Sequence, residues 1–432
     1  MSGRSLPRTT FFTGVSKGIE GVGSLIATLI VARYLGPAGY GVYAQVISSV
    51  MLLWPLVDMG LDHVIVRELV AGGDREAVVG SGLVLRFAAG LLCSVVLMGW
   101  VLMGGETEIV AATGLAIVNI LLVRQVSNLV CRAFFLGIER VENDALATTV
   151  GQAARIGGLV VAARLDLGLL GVLAIPIGAE VLQTIVGILL ARRFISLIQI
   201  RAAFSTARSL AQQSWSILLR LLLVTAYFHI DNVLLAGMLS TEDLGLFAAP
   251  FRLVTGLVMV VVPTVWALLP SLVRGAGSSD SAKITNRVGP LAAASTALLG
   301  AAFVLGSSPL VSLTFGEGSR LESAARCLRL LALLPVLHTV AYIMELELLA
   351  VGRQQWALLG AGPALALKIV GDIALADAFG PLTGAVTSVA ADVVRVILLA
   401  WVARSRWMVN ALVPIGLLGL LVLGSLLPGV IP

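Results

Sequence analysis

The chain has 432 residues, of which 58% are apolar and only 12% charged, and its mean hydropathy is +1.02. A soluble domain is roughly half apolar and a quarter charged, so the bilayer is the solvent here. At roughly 20 apolar residues per helical crossing the chain holds about a dozen spans and no large soluble domain. The net charge of +5 comes from dispersed Arg and Lys with no basic stripe, which excludes a nucleic-acid partner and reads as membrane topology.

In chain order, Arg4 and Arg8 precede the first apolar run, and no small-residue cleavage site follows a short apolar core, so the start reads as an uncleaved first helix. Interruptions by Gly, Pro and charge predict an all-α polytopic protein with twelve core spans, at 11–33, 39–60, 78–102, 108–130, 145–165, 168–191, 210–238, 245–271, 286–306, 325–349, 356–376 and 382–403. A thirteenth apolar run, Leu412 to Leu427, with Pro414 near its start and Pro428 just after its end, is open to crossing, re-entry or an interfacial position. Segment 62–71, LDHVIVRELV, reads as an amphipathic helix on the cytoplasmic face. With the N-terminus inside, one side collects sixteen basic loop residues, Arg67, Arg132, Arg140, Arg192 and Arg193 among them, and the other only Arg33, Arg164 and Arg320, with Arg326 and Arg329 at the start of a span assigned to neither. That asymmetry fixes a cytoplasmic N-terminus as the expectation.

Outward connections such as LGPAGYG, MGGETE and LSTEDLG are short, which disfavours an enzyme that builds its site outside the membrane. Cys93, Cys131 and Cys327 lie far apart and read as packing residues. His63, His229 and His338 lack metal-ligand spacing, so no metal site is expected. No Gly-x-x-x-x-Gly-Lys-Ser/Thr loop occurs, and no Ser, Cys or carboxylate constellation reads as catalytic. Neither a cofactor nor an enzymatic activity is expected.

The connection after span 1, Leu35-Gly36-Pro37-Ala38-Gly39-Tyr40-Gly41-Val42-Tyr43-Ala44, aligns at one offset with Leu239-Ser240-Thr241-Glu242-Asp243-Leu244-Gly245-Leu246-Phe247-Ala248. Leu, Gly and Ala coincide and an aromatic faces an aromatic. Two parallel six-span halves follow, 1–200 and 201–404, with 405–432 as an apolar extension.

Eight basic residues fall within spans: Lys17, Arg86, Arg124, Arg155, Arg220, Arg252, Lys368 and Arg395. Eight acidic residues do too: Glu20, Asp58, Glu180, Asp231, Glu345, Glu347, Asp372 and Asp392. Each costs about 2.5–3.5 kcal/mol at a lipid-facing helix centre, so most must face the bundle interior or a wet cavity. Lys17 with Glu20 and Asp392 with Arg395 stand at i,i+3 and suit local ion pairs. Arg86, Arg124, Arg155 and Arg220 have no acid nearby on their own helices, and with Arg252 they form a basic path suited to an anionic headgroup, since Arg donates a planar fork to phosphate oxygens. Asp231 is open to three readings: coupling-cation ligand, inter-lobe salt bridge or packing. Asp58, Glu180 and Asp372 join it as coupling or inter-lobe candidates. Pro55, Pro176, Pro263, Pro335 and Pro363 lie inside spans and are expected to kink them.

The stretch Ala32-Arg33-Tyr34-Leu35-Gly36-Pro37-Ala38-Gly39-Tyr40-Gly41-Val42-Tyr43, then Asp58-Met59-Gly60-Leu61 leading to Val66-Arg67-Glu68, resembles the N-terminal signature of Wzx-type polysaccharide (O-antigen) flippases. Ile230-Asp231-Asn232-Val233-Leu234-Leu235-Ala236-Gly237 followed by Leu244-Gly245-Leu246-Phe247-Ala248-Ala249 is similar to that family's second-half signature. The likeness extends through about residue 404, while Ser240-Thr241 departs from the Gly-Pro of the first loop. What the resemblance implies is the fold of the multidrug/oligosaccharidyl-lipid/polysaccharide exporters, two six-helix lobes around a central cavity. It further implies flipping of polyprenyl-diphosphate-linked oligosaccharide by alternating access across the bacterial cytoplasmic membrane, with membrane lipid and glycan-assembly proteins as partners. The rivals are a cation-coupled multidrug exporter of the same fold, which would want an acid-dominated cavity, and a membrane glycan polymerase or ligase, which would want a large outer loop.

Overall fold

The computed structural model describes residues 5–103, 106–194, 203–266, 279–316, 318, 320–403, 405 and 407–426. Among these there is no strand. That is what a hydrocarbon solvent demands of an open chain, because only a helix satisfies every backbone N–H and C=O within its own segment.

Fifteen helices are named here in chain order: α1 (Ser5–Asp58), α2 (Leu61–Val70), α3 (Arg75–Leu102), α4 (Thr107–Gly137), α5 (Val141–Arg164), α6 (Gly168–Ala191), α7 (Phe204–Ala236) and α8 (Thr241–Trp266), then α9 (Ser279–Leu305), α10 (Ser307–Phe315), α11 (Leu321–Leu331), α12 (Leu334–Ala350), α13 (Ala357–Phe379), α14 (Thr383–Ala403) and α15 (Met408–Leu426). Ten helical stretches among the described residues are long and apolar enough to cross a membrane. Two of them, Gly14–Val70 and Gly360–Ala403, are 57 and 44 residues long. At about 1.5 Å per residue each exceeds one crossing of a ~30 Å hydrocarbon core.

The break inside α1 is not the loop the sequence suggests but a single kink. Gly36 has φ 67 and ψ −179. The positive φ requires glycine, and Pro37 holds the preceding ψ extended. Pro37 then opens the next helical segment, where its missing N–H costs nothing. In the second repeat the same start is made differently. The Ser240 hydroxyl caps α8 by accepting from the Asp243 backbone N–H at 3.1 Å and donates to the Asp243 carboxylate at 2.8 Å. Ser240-Thr241 thus does for α8 what Gly36-Pro37 does for α1.

Other irregularities have local causes. Helix α4 contains two π-helical turns, Val118–Val123 and Asn128–Ala133, a feature common at functional sites. The expected span 325–349 is interrupted between α11 and α12, and Pro335 sits in the first turn of α12, where it starts a helix and kinks nothing. Pro176 and Pro363 lie within α6 and α13. The α2 segment is helical as expected, but Leu61, Val64, Ile65 and Leu69 are buried against protein, in a core with Phe134 and Phe135. Its apolar face is not offered to lipid.

Two compact units emerge. One comprises Met1–Val31 and Val42–His229, the other Ala32–Gly41 and Ile230–Pro432. In the first, α3 shows how burial is partitioned: Arg86, Gly90, Cys93, Leu97 and Val101 point inward, whereas Leu92, Val95 and Trp100 are 67%, 70% and 67% exposed. Charge inside and large apolar side chains outside is the pattern lipid imposes. In the second, α9, α12, α14 and α15 share a core that includes Ala293, Val336, Val340, Met344, Trp407 and Leu418. Gly300 of α9 allows the closest approach there, since a Cβ would stand 2.4 Å from the Ala332 carbonyl oxygen and 2.7 Å from Leu418 Cδ2. The apolar run after residue 404 is therefore a continuous helix, α15, packed on this core.

Candidate functional site

Most of the charges in the spans fall into three groups, each set by helix periodicity. The first is centred on Arg86, fully buried on the inner face of α3. Its guanidinium reaches Asp58 at 2.9 Å and Asp62 at 2.5 Å and donates to the Gln125 carbonyl at 3.1 Å. Asp58 ends α1 and also accepts from the Gly60 N–H at 3.2 Å. Met59 and Gly60 are left-handed, with φ 51 and φ 73, so the Asp58-Met59-Gly60-Leu61 turn swings α2 back and brings Asp62 to the same guanidinium. Two carboxylates and a backbone carbonyl take up the two terminal nitrogens of this cation, while its Nε is buried without a hydrogen-bond partner among the described residues.

The second group is a strip formed by α1, α4, α5 and α6 in the first unit. Ser16 Oγ donates to Asp144 at 2.9 Å, and Lys17 pairs with Glu20 at 2.5 Å. Further along α1, Gly23 leaves room for Gln152, whose Oε1 would lie 2.6 Å from a Cβ. On α5, Asp144, Thr148 and Gln152 recur every four residues with Arg155 three further on, so all four share one face. Arg132, in the second π turn of α4, lies within electrostatic reach of Lys17, Glu20 and Asp144. Arg124, between the two π turns, keeps a loose 4.0 Å contact with Glu180 of α6 and a side chain 42% exposed. Half-exposed pairs at that distance contribute little, so its donors stay available. The strip carries four cations, Lys17, Arg124, Arg132 and Arg155, against three carboxylates, Glu20, Asp144 and Glu180.

The third group lies in the second unit. Lys368 of α13, fully buried, reaches Asp231 of α7 at 2.7 Å, and its ammonium stands 5.0 Å from the Phe251 ring centroid. Ser388 donates to Asp231 at 3.2 Å and Thr387 to Asp372 at 2.5 Å. Asp231 Oδ1 and Asp372 Oδ2 are buried without a hydrogen-bond partner among the described residues. Two carboxylates against one ammonium leave a formal excess of one negative charge, which favours an added cation or proton. The α14 face that supplies Thr387 and Ser388 continues to Asp392, 2.6 Å from His338, and Arg395, 2.6 Å from Glu345. Asp392 and Arg395 do approach at i,i+3, but at 3.7 Å, so Arg395's closer acid comes from α12. Among the described residues no group of three or more His, Cys, Asp or Glu side chains is placed to hold a metal ion.

Of the expected basic path, then, Arg86 is enclosed by acids, Arg124 and Arg155 lie on the α1–α4–α5–α6 strip, and Arg220 and Arg252 are exposed on α7 and α8. Glu180 lies beside Arg124, and Asp231 and Asp372 are brought together with Lys368. Arg132 was missed by sequence reasoning, which assigned it to a cytoplasmic loop. Helix α4 runs seven residues past the expected end at residue 130, to Gly137. The continuing apolar run Val130 to Phe135 was the available signal.

A family model described as polysaccharide biosynthesis protein matches residues 6–276. No curated protein matches the sequence. Among solved structures, the fold is similar to an inward-facing multidrug-resistance MATE-family transporter of the MOP superfamily, with TM-score 0.71 and 14% identity over 90% of this chain and 95% of that one. It is similar also to the lipid II flippase MurJ in an inward closed conformation, with TM-score 0.70 and 12% identity over 97% and 90%. A third likeness is to a MOP-superfamily transporter from Pyrococcus furiosus, with TM-score 0.62 and 14% identity over 98% and 96%. At such identities the structures speak to fold alone, and the match over residues 6–276 speaks to descent: this multi-pass membrane protein belongs to the polysaccharide biosynthesis protein family and has the fold of the MOP-superfamily transporters.

Proposed function

We propose that the protein flips a lipid-linked oligosaccharide, anchored through a polyprenyl diphosphate, across the cytoplasmic membrane by alternating access, with its N-terminus cytoplasmic and its halves, 1–200 and 201–404, as the two moving lobes. The observation that carries this reading is the family match, because residues 6–276 take in the whole α1–α4–α5–α6 strip and its surplus of cations. Arg124, Arg132 and Arg155 would hold the diphosphate: a guanidinium fork matches two phosphate oxygens, and a charge-assisted bond in a water-poor site is stronger than a neutral one. Arg220, exposed on α7 in the first unit, and Arg252, exposed on α8 in the second, are further candidates to meet the anionic headgroup. Arg86 is the exception. A diphosphate would have to displace two carboxylates to reach it, so we assign it to holding α1, α2 and α3 together. The surplus negative charge around Asp231, Asp372 and Lys368 fits a coupling cation or proton; in the first unit the candidate acids are Asp58, already engaged by Arg86, and Glu180, beside Arg124.

Multidrug export is the second reading, favoured by the fold shared with a multidrug MATE-family transporter. The equal numbers of basic and acidic residues in the spans count against it. Both are tested by replacing the gene with Arg124→Ala, Arg132→Ala and Arg155→Ala variants and measuring surface glycan, drug susceptibility and protein content of the membrane. One charge-assisted bond is worth ~1.5–3 kcal/mol, so each variant should lose about ten-fold or more of glycan export at normal protein content. Normal glycan export by well-expressed variants would remove these residues from the mechanism, and drug sensitisation with glycan export intact would reject the flippase reading.

A further inference from the structure

The two copies of the repeated connection touch. A Cβ on Gly41 would stand 1.8 Å from the Thr241 carbonyl oxygen and 3.1 Å from Gly245 N, while a Cβ on Gly245 would stand 1.8 Å from the Pro37 carbonyl oxygen and 3.1 Å from Gly41 N. The contact is reciprocal: each glycine lies against the residue four positions before the other, as a local two-fold relation between the repeats requires. Pro37-x-x-x-Gly41 and Thr241-x-x-x-Gly245 place small residues one helical turn apart, the spacing that lets two helix backbones meet. Both segments belong to the same compact unit.

We infer that these repeats form a separable clasp and that the clasp parts when the protein turns to its opposite-facing state; this second half rests on the transport reading above. Three observations carry it. The fit is steric and unforgiving, because no side chain larger than hydrogen fits either glycine, so the crossing is either closed or apart. The ion pair and hydrogen bond that flank it lie at the surface and tie each arm to the α10–α11 region rather than to the other arm. Arg320 pairs with Glu242 at 3.2 Å and with Asp243, but the Arg320 and Glu242 side chains are 45% and 43% exposed, and exposed pairs contribute little. Arg33 adds one donor to the Ser312 carbonyl at 2.7 Å, also exposed. Each arm also begins at a point able to absorb a backbone change, the Gly36 kink and the Gly237–Ser240 turn, as hinge segments do.

The test uses the full chain in lipid nanodiscs, with Cys93, Cys131 and Cys327 replaced by Ala. A Tyr40→Cys reporter, at a position now 3% exposed beside Gly41, is treated with a membrane-impermeant maleimide. Gly245→Ala should raise its labelling rate by roughly ten-fold, and Arg320→Glu, which puts no atom into the crossing, should act in the same direction. A second reporter, Leu69→Cys, should stay protected in both. If Gly245→Ala labels everywhere it has unfolded, and Arg320→Glu decides alone. Unchanged Tyr40→Cys labelling in folded variants overturns the clasp. Labelling needs no cargo, so it stands or falls apart from the glycan reading. In cells, normal glycan export by variants with a labelled clasp overturns its part in transport, and lost export supports it.

Discussion

Arg86 and Arg124 are the same residue type in helices of similar composition, yet their neighbours give them opposite roles. Arg86 is desolvated completely and compensated by Asp58 and Asp62. Breaking such a buried set by removing one partner typically costs ~3–5 kcal/mol, since the remaining charge is stranded. Arg86→Met should therefore lower the thermal midpoint sharply and reduce the folded fraction by size exclusion, and Asp58→Asn in the same chain should recover part of the loss. Arg124→Ala should change stability by less than ~1 kcal/mol, because its pair with Glu180 is long and half-exposed. Equal destabilisation by the two substitutions would refute this division. The sequence did place both among intramembrane cations. It offered no way to see that Asp58 and Asp62, from α1 and the start of α2, close on Arg86, because ion pairing across helices depends on rotation about each axis.

At the scale of the element, left-handed glycines decide where helices stop. Gly60 and Gly72 have φ 73 and φ 85, but a Cβ on Gly60 would meet Ile217 Cγ2 at 2.5 Å, while Gly72 faces open space. Alanine at either site incurs about 1–2 kcal/mol of backbone strain. Gly60→Ala should additionally push on α7, so its thermal midpoint should fall clearly below that of Gly72→Ala. A reversed order would show that the backbone strain, not the contact, governs the turn. Helix positions were largely legible because apolar runs bounded by Gly, Pro and charge carry the signal directly. The kink at Gly36, the break before Pro335 and the π turns of α4 were not. Each replaces an expected loop or regular helix by a change in one or two backbone angles, which leaves no mark on hydropathy.

For the whole molecule, the testable quantity is the number of crossings. Helix α15 has 19 residues, about 28 Å at 1.5 Å per residue, close to the thickness of the hydrocarbon core. On the proposed topology, a cytoplasmic N-terminus and twelve spans before α15, a phosphatase reporter active only outside the cytoplasm should be inactive when fused after Ala403 and active after Pro432. Activity at both junctions, or at neither, would contradict that topology. Membrane residence, helical class and an internal repeat were determined by the sequence alone, since apolar content, the length of apolar runs and a recurring loop are properties of the chain read in order. Which charges neutralise one another, that Arg132 joins Lys17 and Glu20, that Lys368 fills the space beside Asp231, and that Gly41 meets Gly245 were decided only by tertiary structure. The physical reason is the same in every case: a buried charge or a bare glycine needs its complement within a few ångströms, and that complement comes from another helix whose register no one-dimensional pattern records.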